Sequence, residues 1–327
     1  MLVFNYENYK GYAMGFRIKA LLGFIFGAGI LAMSNAALAG PDGLPTKAPN
    51  LNISTSRHNL TQSFLGATAV IMDTARNNYG EVCVYCHTPH GANTTISAPL
   101  WNRTKPQSTY KTYNQLGTST ITQPFDQPGR NSLTCLSCHD GTIAIDSIIN
   151  MPGSGGYNQA QESAVNLGFL STWTNPSGTQ AGHQTMGNPG VGCMICHAGG
   201  VTGDLFPSAP DLSIVYIGTD LTNDHPVGVQ FPTSANNGRI FNPDFNVPLE
   251  SGKLAFFDGN GDGIAQPREV RLYDSGNGFR VECASCHDPH GVPGANGMLN
   301  PTFLRVSNNT PGAANPASTL CLTCHTK

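Results

Sequence analysis

The ten cysteines of this chain fall into five pairs with two residues between the partners, and a histidine follows every pair at once. The sets are Cys83/Cys86/His87, Cys135/Cys138/His139, Cys193/Cys196/His197, Cys283/Cys286/His287 and Cys321/Cys324/His325. C-x-x-C-H is the attachment pattern of haem c. Two thiols at this spacing can form thioethers to one porphyrin, and the histidine then lies beside the iron as an axial ligand. Other uses of paired cysteines fit less well. Disulfides would not require the histidines. Zinc ribbons take such pairs two at a time, and five is odd. A thioredoxin-like site needs one pair in a βαβ setting. Five covalent haem c groups are therefore expected.

The motif at 83–87 extends to C-V-Y-C-H-T-P-H-G, and a near copy, C-A-S-C-H-D-P-H-G, begins at Cys283. His90 and His290 lie too close to their own motifs to travel round the macrocycle to the far side of the same iron. Each is expected to ligate a neighbouring haem. The chain has ten histidines. Five belong to motifs, and the others, His58, His90, His183, His225 and His290, equal the number of sixth ligands that five irons need. With every iron bis-histidine, reduction potentials should be low and no position stays open for substrate. Such irons suit electron transfer rather than bond-making chemistry.

The elements that position these residues must be short. Gly (38) and Pro (23) are abundant, so turns dominate over long helices or a broad sheet. The expected fold is mostly irregular and haem-packed, with short helices at the C-x-x-C-H motifs, a few short strands and little other regular structure. Residues 60–79 fit a short helix or a strand. Leu212–Ile217 reads as a strand, Val270–Tyr273 as strand or helix, and Trp101 as packing for a haem. The pattern C-x-x-C-H-x-P-H-G followed by a second C-x-x-C-H occurs twice. This divides the chain into a signal peptide (1–39), an N-terminal dihaem unit (40–150), a middle segment with one haem (151–250) and a C-terminal dihaem unit (251–327).

Inside the last unit, Asp258-Gly-Asn260-Gly-Asp262-Gly-Ile264 followed by Glu269 matches a calcium loop. Oxygens stand at positions 1, 3 and 5, the Ile264 carbonyl at 7 and a glutamate at 12. A solvated Gly/Asp turn is the alternative reading.

Arg17 and Lys19, the apolar run 20–33 and Ala37-Leu38-Ala39 together form a secretory signal. The run is shorter than the ~20 residues of a membrane span, so no span is expected after cleavage and the protein should act in the periplasm or outside the cell. Met14 is a candidate start. Removing Lys10, Arg17, Lys19 and Glu7 leaves 14 basic and 19 acidic groups, a formal −5. No basic cluster with interleaved aromatics suggests nucleic acid.

These motifs, with N-D-H-P-V at 223–227, resemble the multihaem c-type cytochromes with doubled C-x-x-C-H units of metal-reducing and other anaerobically respiring bacteria. The resemblance implies that His90, His290 and His225 are distal ligands. It also implies that partners are other cytochromes, a membrane conduit or extracellular electron acceptors. Some relatives polymerise into filaments, and His58 on its extended N-terminal arm could ligate a haem of a second copy. The enzyme alternative is a pentahaem reductase of the nitrite-reducing kind. Those enzymes usually mark their open iron with lysine in place of the motif histidine, whereas all five motifs here end in histidine.

Overall fold

Each C-x-x-C-H motif closes a helical turn. The amide of the histidine donates to the carbonyl of the first cysteine in His87→Cys83 (2.8 Å), His197→Cys193 (3.1 Å), His287→Cys283 (3.1 Å) and His325→Cys321 (2.9 Å). This four-residue bond sets both cysteines and the histidine on one face. The spacing read from the sequence is thus a helical one. The computed structural model describes residues 53–61, 69–96, 98–119, 121–151, 170–198, 211–232, 243–294, 299–308 and 318–326. The signal segment at 1–39, the start of the N-terminal arm and the connector at 152–169 lie outside these residues.

Helix α1 (Ala69–Ala75) precedes a 3-10 turn at Cys83–Tyr85. Helix α2 (Arg130–His139) carries the second motif, α3 (Met194–His197) the third, α4 (Cys283–Cys286) the fourth and α5 (Thr319–Cys324) the fifth. Among the described residues no helix is long and apolar enough to cross a membrane.

Five short strands, β1 (Val229–Gln230), β2 (Leu249–Ser251), β3 (Leu254–Phe256), β4 (Arg271–Asp274) and β5 (Phe279–Val281), form an antiparallel sheet ordered β1-β5-β4-β3-β2. Ala255 pairs with Leu272, and both are fully buried. They join Phe231 and Phe279 in a small core on which Cys324 packs. The sheet thus anchors the fifth motif and, through β5, runs straight into Glu282 and the fourth. A second cluster (Tyr79, Tyr85, Ile148, Met151, Leu170) holds Cys86 of the first motif, and a third (Tyr110, Leu133, Leu136, Leu221) includes two residues of α2. Among the described residues the fold is irregular, with short helices at the motifs and one small sheet, as its turn-rich composition implied.

Two local expectations resolve. Val270–Tyr273 overlaps a strand, β4. Leu212–Ile217 is not a strand: Ser213–Val215 form a 3-10 turn. The amides of Ile217 and Gly218 donate to the His139 carbonyl (2.9 and 3.2 Å), and the Val215 carbonyl accepts from the His139 ring. Docking on α2 overrides the β-propensity of this apolar run.

Candidate functional site

A histidine binds metal through one ring nitrogen, and the other nitrogen's hydrogen bond sets which. Three motif histidines are pinned alike. The Nδ1–H groups of His87, His139 and His287 donate to the carbonyls of Pro99, Val215 and Thr302, each at 2.7 Å. A carbonyl can only accept, so Nδ1 carries the proton and Nε2 keeps its lone pair. Outside the motifs, His58 donates from Nδ1 to Pro289 (3.0 Å) and His225 to Pro226 (3.1 Å). His183 and His290 pair their Nδ1 with carboxylates, Asp146 (2.8 Å) and Asp288 (3.0 Å). Carboxylate–histidine pairs of this kind orient metal-bound imidazoles. These rings fit the ligand role that haem requires. Burial pushes His58 down to about 4, with the nearby His139 adding to the effect. Burial likewise lowers His139, His225 and His287, keeping the rings neutral as ligands must be. His290 is instead raised by its bond to Asp288.

The first and fourth motifs share a return segment that supplies the pinning carbonyl. Thr88 donates to Leu100 and Asn102 to Cys86 (both 2.8 Å); correspondingly, Asp288 donates to Phe303 (2.8 Å) and Arg305 to Cys286 (2.7 Å). His87 bridges to Trp101, and His287 to Leu304. Leu100, Thr302 and Phe303 adopt left-handed φ values of 54°, 51° and 61°, which turn the chain back over the motif. Trp101 is buried and meets the His87 ring edge-on with centroids 6.0 Å apart.

The cysteines fit attachment. All ten are free, so no disulfide competes. Burial pushes Cys86 and Cys324 to about 12, and Cys193 and Cys286 to about 11. Thiols held protonated in this way are unlike redox-active cysteines. In the third motif Cys196 is half-buried within α3, and its amide donates to the Cys193 carbonyl (3.2 Å). The Cys196 thiol also adds to the upward push on Cys193, so the two sulfurs of this motif are neighbours. The motifs also lie close together. Cys138 is near enough to act electrostatically on Cys86 and Cys193, and Cys286 does so on Cys324. The Cys135 and Cys283 thiols lie near enough to act on each other, which raises the former and lowers the latter.

Glu282, which sequence reasoning passed over, joins the second and fourth motifs. Its carboxylate accepts from the Gly129 amide (3.0 Å) and the Ser132 hydroxyl, and that hydroxyl accepts from the Cys283 amide (2.8 Å). A β-carbon at Gly129 would lie 2.3 Å from Glu282 Oε1. Only glycine allows this approach.

The remaining predicted ligands are placed less tightly. His90 is exposed, and its carbonyl accepts from Thr88 (3.0 Å) and Asn150 (3.0 Å). His197 ends α3, directly after Cys196, and His325 packs on Phe245 with centroids 4.7 Å apart. His225 lies within electrostatic reach of His325. In the calcium-loop segment the carboxylates accept the loop's own amides. Asp258 takes Gly261 (2.7 Å) and Gly263 (2.8 Å), Asp262 takes Ile264 (2.8 Å), and Glu269 takes Gly259 (3.0 Å) and Gln266 (2.9 Å). Asn260 donates to Asp262 (3.0 Å). Among the described residues no group of three or more His, Cys, Asp or Glu side chains is arranged to hold a metal ion.

Residues 278–327 match the family model of the doubled CXXCH motif. No curated protein matches the chain. With the motifs, this match supports a haem-binding, multihaem c-type cytochrome.

Proposed function

We propose that the chain is an exported pentahaem electron carrier of anaerobic or extracellular respiration, with all five irons bis-histidine. The supporting observation is the shared pinning of His87, His139 and His287, which leaves Nε2 as the ligand atom in each. The adjoining motifs provide the closeness that electron transfer needs. When bound, haem supplies one-electron cycling of iron. The chain holds the rings of His87, His139 and His287 in one fixed tautomer. No bond-making activity is proposed, and partners are other cytochromes, a membrane conduit or extracellular acceptors. Mass spectrometry and the pyridine haemochrome assay on the secreted protein should count five covalent haems. Carbon monoxide should leave the reduced spectrum unchanged; strong binding at one haem would favour the open-iron reductase instead.

Filament assembly through His58 gains no support from its position, because the ring faces His139 of its own chain. Calcium at Asp258–Glu269 is proposed on the sequence pattern alone, and binding there must displace the amides that the carboxylates now accept. Titration of the haem-loaded protein with calcium tests it, and absence of heat would dismiss it.

A further inference from the structure

Two ligands on opposite faces of one iron have a characteristic separation. With a metal–imidazole bond of about 2 Å on each side, the ring centroids should stand about 6 Å apart. Among the described residues, His87–His290 and His58–His139 have this spacing, and each joins one motif histidine to one that belongs to no motif. His87 and His290 have centroids 6.1 Å apart with ring planes 10° from parallel. His58 and His139 have centroids 6.3 Å apart with planes at 86°. Both members of each pair donate from Nδ1 to a protein acceptor, so all four Nε2 atoms are available.

We infer, resting on the haem reading above, that His290 is the sixth ligand of the first-motif iron and His58 that of the second-motif iron. The first assignment carries a ligand from the fourth motif back to the first, across 203 residues of sequence. The second seats the N-terminal arm on the same 283–291 segment, since His58 is held by the Pro289 carbonyl and stacks on Phe303 at 4.3 Å. One nine-residue stretch therefore provides the ligand of one iron and positions the ligand of another.

The ring angles make the two sites spectroscopically distinct. Parallel imidazole planes separate the two iron d orbitals that bond with them, giving a rhombic low-spin signal. Perpendicular planes leave those orbitals nearly degenerate, giving a highly anisotropic signal with a large maximum g value. In electron paramagnetic resonance of the oxidised, haem-loaded protein, His58→Ala should abolish one large-g signal and convert one haem of five to high spin. His290→Ala should remove one rhombic component and leave the large-g signal intact. If the His58 variant does not mature, His58→Met keeps a ligand: the large-g signal should vanish and one haem should move to higher potential. Full haem content with unchanged signals in either variant would overturn that pairing, as would the two variants removing each other's signals. A wild-type protein with no covalent haem would instead overturn the haem reading itself.

Discussion

The two C-x-x-C-H-x-P-H-G segments share a backbone but differ in what they are tied to. In the first copy the return segment carries Asn102 and Arg103. Asn102 turns inward to the Val84 carbonyl (2.7 Å). Arg103 is fully buried and reaches the second motif, donating to Ser137 (hydroxyl 3.1 Å, carbonyl 2.8 Å) and to the carbonyls of Ala144 (3.0 Å) and Ile145 (2.8 Å). In the second copy Arg305 stands where Asn102 does and bonds the equivalent carbonyl, Ala284 (3.0 Å), while its other end meets Asp288 (3.0 Å) and Pro267 (2.8 Å). The arginine of the first copy spans two haem motifs, and that of the second braces its own. The residue before the first cysteine differs too. Val82 gives no side-chain cap to its 3-10 turn, whereas Glu282 forms a capping box with Ser285 on α4 and also reaches α2. The repeat fixes how a haem is held, and the positions that vary fix which motifs become neighbours.

Removing the spanning arginine should break this contrast most sharply. Arg103→Ala strands the buried carbonyls of Ser137 and Ile145, while that of Ala144 keeps the Ser147 amide (3.0 Å), and at ~1–3 kcal/mol for each unsatisfied group the loss should be about 4 kcal/mol in denaturant unfolding of the haem-loaded protein. Asn102→Ala should cost a comparable amount, because it leaves the Val84 carbonyl and the Asn150 amide and carbonyl without their partner. A loss under about 1 kcal/mol in Arg103→Ala would mean that Arg103 is not the tie between motifs.

Glu282 gives the next effect. Burial raises its carboxyl from an ordinary value near 4.5 to about 7. A folded-state value above the unfolded one means that the native protein binds more protons between those pH values. Stability is therefore full below about pH 4.5 and falls as pH rises through 7, by about 3 kcal/mol. Glu282→Gln should flatten this slope. A slope that persists in the variant would place its source elsewhere.

Asp288 works in the opposite sense and is confined to the second copy. Burial alone would raise its carboxyl, but the bonds from His290 and the charge of Arg305 hold it at about 2. Its stabilisation is present above the unfolded value near 4 and lost as pH falls through 2, a term of about 2 kcal/mol. The first copy has Thr88 at this position and lacks the term. Unfolding free energies measured from pH 6 to 2 should show it in wild type and not in Asp288→Asn.

Much of this contrast could be read in the residues, and some could not. The motifs, their helical turns and the scarcity of other regular structure follow from cysteine spacing and turn-forming composition. Asp146, the partner of His183, is hidden among apolar and β-branched neighbours whose pattern points only to packing. The carbonyls that pin His87, His139 and His287 leave no signature, because Pro99, Val215 and Thr302 act through the main chain. Leu100, Thr302 and Phe303 are not residues that announce a left-handed turn. The positions of His58 and His290 opposite particular motif histidines depend on contacts that no local pattern encodes.

The smallest difference lies at the glycine closing each copy. Gly91 and Gly291 both have left-handed φ, 63° and 88°, so alanine at either site should cost about 1 kcal/mol from backbone strain. At Gly291 the added β-carbon would also come within 2.6 Å of Leu299 Cδ2. That side chain must move, and Gly291 stands next to His290. Gly291→Ala should therefore destabilise more than Gly91→Ala. It should also broaden the rhombic signal assigned to His87 and His290, while Gly91→Ala leaves that signal unchanged. If both substitutions cost the same and neither alters the spectrum, the close of the second copy does not help to hold the His290 ring.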